Sequence, residues 1–115
     1  MRLDLFAWPV GVWASGFNAD SDARLYEGLM DLWREVRTGP EVWDRKPHDI
    51  FTDKADLCAD LKELVTACAR EFMAGKGEVA SVTGRVVVRE KGQEILTHTD
   101  QGFSHIHGVY FPLGA

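Results

Sequence analysis

Apolar residues recur at steps of three and four in two stretches of the chain, and then at steps of two near its end. The first helical stretch follows NADSD at 18–22, which offers several N-cap residues. Leu25, Leu29, Leu32, Trp33 and Val36 form its apolar stripe, and Gly39-Pro40 closes it. The second has Thr52 and Asp53 as cap candidates and an apolar face of Leu57, Leu61, Leu64, Val65, Cys68 and Phe72. GKG at 75–77 ends it, because glycine adopts the left-handed conformation that a helix C-terminus often needs. Between the two lies PEVWDRKPHDIFT (40–52), a long loop expected to be anchored by Trp43 and Phe51, with His48 on the surface. Before both, Leu3 to Trp13 reads as an extended edge strand bent at Pro9 and Gly11, since proline cannot donate to a sheet ladder.

After Gly77 the period changes. VASVTGRVVVRE (79–90) is β-branched and strand-like, with Gly84 marking a bulge or a close backbone approach. Lys91-Gly92 turns, QEILTHTD (93–100) alternates, QGFS (101–104) turns again, and HIHGVYFPLG (105–114) reads as a further strand. The expectation is a single α+β domain over 1–115, with two amphipathic helices packed on an antiparallel meander. Val86, Val88, Val109 and Phe111 are expected to supply the sheet side of the core.

Composition narrows the class. With 45% hydrophobic and 27% charged residues over 115 positions, the chain can bury a core without disulfides or a structural metal. Its net charge of −5 repels nucleic acid and anionic lipid on average, so neither is expected as a partner. No apolar run approaches the roughly 20 residues that span a membrane, and MRLDLFAWPVGVW lacks a signal-peptide core. A cytoplasmic location is expected. Cys58 and Cys68, if both helical, are separated by about 15 Å of helix rise and cannot pair. Cys68, on the apolar stripe, is expected to be a buried free thiol.

Candidate chemistry lies in ILTHTDQGFSHIH (95–107). On a strand, His98 and Asp100 project to one side, with Cβ atoms about 7 Å apart, so both can reach one ion. Imidazole with carboxylate suits Fe(II), Mn(II) or Zn(II), and two histidines with one carboxylate form the facial triad of non-haem iron oxygenases. His105 and His107 share a face as well, and a turn at QGFS lays them beside the first pair. The bland alternative is a polar hairpin whose threonines carry the strand propensity.

The run SVTGRVVVREKGQEILTHTDQGFSHIHGVYFPLG resembles the start of the double-stranded β-helix, or jelly roll, of bacterial and phage 2-oxoglutarate/Fe(II)-dependent oxygenases. The matching pieces are Lys91-Gly92, His98-Thr-Asp100 and Gly108-Val-Tyr-Phe-Pro112, with LFAWPV and two helices before them. The specific part covers about twenty-five residues. The resemblance implies a partial double-stranded β-helix with His98 and Asp100 as the first two iron ligands and 2-oxoglutarate as cosubstrate. The family's third histidine and its basic cosubstrate anchor belong to later strands and find no counterpart before Ala115. His107 is the available third metal ligand, and no residue is assigned to catalysis.

Two functions follow as expectations. One is a shortened Fe(II)/2-oxoglutarate dioxygenase-like domain that binds metal without being a complete catalyst. The other is a non-catalytic protein-binding or inhibitor protein, such as a phage-encoded anti-defence protein, built on part of an enzyme fold. An unpaired sheet edge implies a homodimer or a protein partner.

Overall fold

The computed structural model describes residues 2–5, 8–89 and 106–112. Two strands, β1 (Arg2–Leu5) and β2 (Trp8–Gly11), pair antiparallel, with Arg2 opposite Gly11 and Leu5 opposite Trp8. The expected single bent strand is therefore a hairpin.

The first long helix, α1 (Ala19–Val36), starts where the sequence places it. The Asn18 side chain accepts a 2.8 Å hydrogen bond from the Ser21 N–H, and Asp20 and Asp22 lie in the first turn, where the positive end of the helix dipole favours them. Leu25, Leu32, Trp33 and Val36 are buried, with Leu29 packed beside them. The loop after α1 closes on itself. Thr38 N–H donates to Asp44 O at 2.7 Å, Lys46 N–H donates to Val36 O at 2.7 Å, and Arg37 and Arg45 form an isolated antiparallel bridge. Its anchor is Val42, only 2% exposed, whereas the expected anchor Trp43 is 42% exposed. Phe51 is buried as expected.

The second expected helix starts at Ala59 rather than directly after Thr52 and Asp53, and a separate single turn of helix lies where the loop and its cap were expected. A single turn, α2 (Ile50–Asp53), is capped by Asp49, and after a turn at 54–58 comes α3 (Ala59–Met73). Cys58 begins α3 without a side-chain capping bond and is the buried thiol at 0% exposure, while Cys68 is half-buried. The helix ends on Ala74 at φ 49°, followed by Gly75 at φ 78°, so the left-handed position is taken first by an alanine. Leu25, Leu32, Trp33, Val36, Ile50, Phe51, Cys58, Leu61 and Val86 form one core cluster.

The antiparallel meander and jelly roll expected after Gly77 are not present in the described part of that region. The structure is mostly helical, and residues 78–89 and 106–112 contain no strand. The period-2 pattern nevertheless has a physical result. Val82, Gly84, Val86 and Val88 face inward and Thr83, Arg85, Val87 and Arg89 outward, as in any extended segment. Its partners are helix-linked: Ile50 N–H donates to Gly84 O at 2.9 Å, and Gly84 and Val86 N–H donate to the Asp49 and His48 side chains. Alternation fixes an extended conformation with one buried face, but not what that face meets.

Residues 106–112 are reversed relative to expectation. Val109 and Phe111, expected in the core, are 72% and 56% exposed, and Tyr110 is the residue packed inward. Its ring meets Phe17 edge-on at 6.1 Å, and its hydroxyl donates to Asp22 Oδ1 at 2.5 Å. A phenol that has both an aromatic neighbour and a carboxylate acceptor satisfies both parts of the side chain.

Candidate functional site

His98 and Asp100 lie outside the described residues, as does His105. His107 is described, and it is exposed in an irregular segment rather than aligned on a strand. No group of three metal-ligating side chains occurs among the described residues. The arrangement that the described residues do assemble is a different one, built around the extended segment 82–89.

Its inner edge is held by two adjacent side chains, Asp49 and His48, of the loop in which His48 was expected to be a surface residue. Asp49 is the N-cap of α2, and its Oδ1 accepts from Phe51 N–H at 3.2 Å and from Gly84 N–H at 2.9 Å. Its Oδ2 accepts from the Thr52 hydroxyl at 2.9 Å, and its own N–H donates to Asp53 Oδ2 at 3.1 Å. Burial pushes the Asp49 carboxyl up. The hydrogen bonds from Gly84, Thr52 and Phe51, with the nearby Lys62 charge, outweigh that and hold it below the ordinary aspartate value.

His48 supplies the second grip. Its Nε2 lies 3.0 Å from the Val86 N–H and its Nδ1 lies 3.0 Å from Lys46 O. An amide N–H can only donate, so Nε2 is the acceptor and Nδ1 carries the proton that goes to Lys46 O. That single tautomer satisfies both bonds. The sequence signal was present in Pro47-His48-Asp49 directly before a helix start, but the partners lie 35 and 38 residues away. Gly84 has a simpler reason. A Cβ there would stand 2.9 Å from Phe51 Cε2 and 3.0 Å from Ile50 Cγ1, so only glycine lets the backbone approach α2 this closely. Of the two readings of Gly84, close approach is the observed one.

The outer edge is open among the described residues. Thr83, Arg85 and Val87 are exposed, and their backbone groups make no hydrogen bond among the described residues. Because N–H and C=O groups alternate sides along an extended chain, using Gly84 and Val86 inward turns those of Thr83, Arg85 and Val87 outward. Two arginines, Arg37 and Arg45, belong to the loop that His48 ties to the inner edge. Arg45 donates through Nη1 to Val42 O at 3.2 Å and lies 5.9 Å from the centre of the exposed Trp43 ring. Arg37, bridged to Arg45, donates through Nε to Gly39 O at 2.8 Å. Burial, and then the adjacent Arg85 charge, push the Arg45 guanidinium below its ordinary value. None of Arg37, Arg45 and Arg85 has a carboxylate partner among the described residues.

Covalent chemistry finds little support at the buried thiol. Burial, and then the Asp49 charge, push the Cys58 thiol up against the smaller opposing effect of Lys54, which favours the unreactive protonated form. No helix among the described residues is long and apolar enough to cross a membrane. Comparison with protein-family models, curated proteins and solved structures gives no match.

Proposed function

We propose that this is a protein-binding domain that receives an extended segment of another polypeptide along the outer edge of residues 83–87. The observation that carries this reading is the contrast between the two edges of one segment. The inner edge is bonded to α2 and His48, while the outer edge presents donors and acceptors on exposed residues that are unused among the described residues. A row of unpaired backbone groups is a template for strand addition, in which main-chain hydrogen bonds give affinity and alternate side chains give specificity. The docked inner edge contributes as well, because a pre-ordered strand loses less conformational freedom when its partner arrives.

Hydrogen exchange tests this directly. In the isolated protein the Arg85 and Val87 amides are expected to exchange faster than those of Gly84 and Val86. A bound strand-forming peptide should slow Arg85 and Val87 selectively. Val87→Pro removes one outward donor without touching the bonds of Gly84 and Val86, and should weaken that binding. Peptide binding with unchanged exchange at Arg85 and Val87 would place the binding surface elsewhere and remove this reading.

The two-residue spacing of His98 and Asp100 and the exposure of the His107 imidazole support a second proposal, a divalent-metal site on His98, Asp100 and His107. Imidazole and carboxylate donors suit Fe(II) or Zn(II). Protein purified without a nickel column and titrated with Fe(II) should bind metal stoichiometrically and lose it in the double variant His98→Ala, Asp100→Ala. Equal metal content in parent and variant reduces the motif to a polar stretch.

A further inference from the structure

We infer that His48 is a proton-operated latch: the neutral imidazole holds the extended segment at Val86, and protonation releases residues 86–89 while Asp49 keeps Gly84 in place. The inference concerns the inner edge and holds whether or not a partner occupies the outer one.

The two grips on the segment differ in what a proton does to them. His48 accepts the Val86 N–H on Nε2 at 3.0 Å, while its Nδ1–H donates to Lys46 O at 3.0 Å. Both ring nitrogens are committed in the neutral form. An imidazolium carries a donor on each nitrogen and has no acceptor. Protonation therefore leaves the bond to Lys46 O intact and sets Nε2–H against the Val86 N–H, donor against donor. Among the described residues the Val86 amide bonds to His48 alone. Val86 belongs to the core cluster at 9% exposure, and a buried amide that loses its acceptor is destabilising.

Gly84 is held by other means. Its N–H donates to Asp49 Oδ1 at 2.9 Å, its carbonyl accepts from Ile50 N–H at 2.9 Å, and the Phe51 and Ile50 side chains crowd its Cα. Neither bond involves the imidazole. Histidine is the side chain that takes up a proton between about pH 5 and 8, and the Asp49 carboxyl, held below the ordinary aspartate value, remains an acceptor through that range. The charged groups around His48 come from each neighbouring element. Arg45 and Lys46 precede it in the loop, Arg85 flanks Val86, Lys62 of α3 acts on Asp49, and Asp49 and Asp53 supply carboxylates at α2. The Asp49 oxygens already accept from Phe51, Gly84 and Thr52, and Asp53 Oδ2 accepts from Asp49 N–H, so neither carboxylate is committed to the imidazole. The Cys58 thiol, pushed up by burial, stays neutral across the same range.

The full chain is titrated by NMR from about pH 7.5 to about pH 5, with amide exchange and the His48 ring nitrogens followed together. The Val86 protection factor should fall about tenfold or more across the His48 ring titration while that of Gly84 holds. At neutral pH the ring signals should show a bare Nε2 and a protonated Nδ1. His48→Gln places an amide oxygen where Nε2 stood and removes the titrating group, so Val86 protection should lose its pH dependence over this range. A pH dependence retained in that variant would overturn the inference. Two outcomes in the parent protein alone would do the same, so the test does not depend on the variant folding. One is Val86 protection that stays constant while the His48 ring takes up its proton, or that follows the ring signals of His107 instead. The other is joint loss of Val86 and Gly84 protection, which would make the change one of the whole segment rather than of the His48 grip.

Discussion

Asp49 does two things at once, and its protonation should show in the stability of the protein. Its folded carboxyl sits below the ordinary aspartate value. The stabilisation that follows is fully present above the unfolded value of about 3.9 and is lost as pH falls through the folded value, since the protonated side chain is the weaker acceptor. Denaturation midpoints of the parent and of Asp49→Asn, compared from neutral to acid pH, should converge at the acid end. Parallel curves would show that this carboxylate does not contribute to the acid sensitivity. Gly84→Ala should cost about 1–3 kcal/mol by overpacking, because Phe51 and Ile50 of α2 stand where its methyl group would go. At this scale legibility was uneven. Gly84 stood out because a glycine inside a β-branched run needs a reason, whereas His48 and Asp49 were read as loop because their partners are distant in sequence.

Among the elements, α3 owes its place to a short list of side chains. Leu61 is 4% exposed within the core cluster, and Leu61→Ala should lower the unfolding free energy by about 2–5 kcal/mol, read from the denaturant midpoint. An unchanged midpoint would mean that the face is misassigned. At the other end Ala74 holds a positive φ that disfavours a side chain. Ala74→Gly should therefore stabilise by up to about 1 kcal/mol, the relieved strain being partly offset by a more flexible unfolded chain. The helices were legible because spacing of three and four leaves few alternatives. The break at 54–58 was not, because Leu57 and Cys58 suit one continuous apolar face as well as the turn they occupy. The extended segment was legible as extended and misjudged as sheet, since a period of two is satisfied by any surface that buries alternate residues. In 106–112 that period was read with the wrong phase. Tyr110 points inward because its hydroxyl finds Asp22, an attraction that hydrophobicity alone does not register.

In the whole molecule, segments distant in sequence are tied to the helical core by single polar contacts backed by a ring. Trp13 Nε1–H donates to Glu71 Oε2 at 2.9 Å, its ring meets Phe72 edge-on at 6.4 Å, and Tyr110 joins Asp22 and Phe17 in the same manner. Tyr110→Phe keeps the ring contact and removes the hydroxyl, so it should cost about 0.5–1.5 kcal/mol or slightly more, with faster proteolysis near residues 106–112 as its local sign. The bond from Gly84 to Asp49 differs in kind, because its acceptor is also the cap of α2, and it closes a loop of 35 residues that contains all of α3. Asp49 can grip Phe51 and Thr52 as soon as α2 forms, but its grip on Gly84 must wait for α3 to turn back. A chain emerging from the ribosome would thus carry α2 with a partly used cap until residue 84 had been made and docked. The last step of folding for this segment completes the first turn of a helix that was written much earlier.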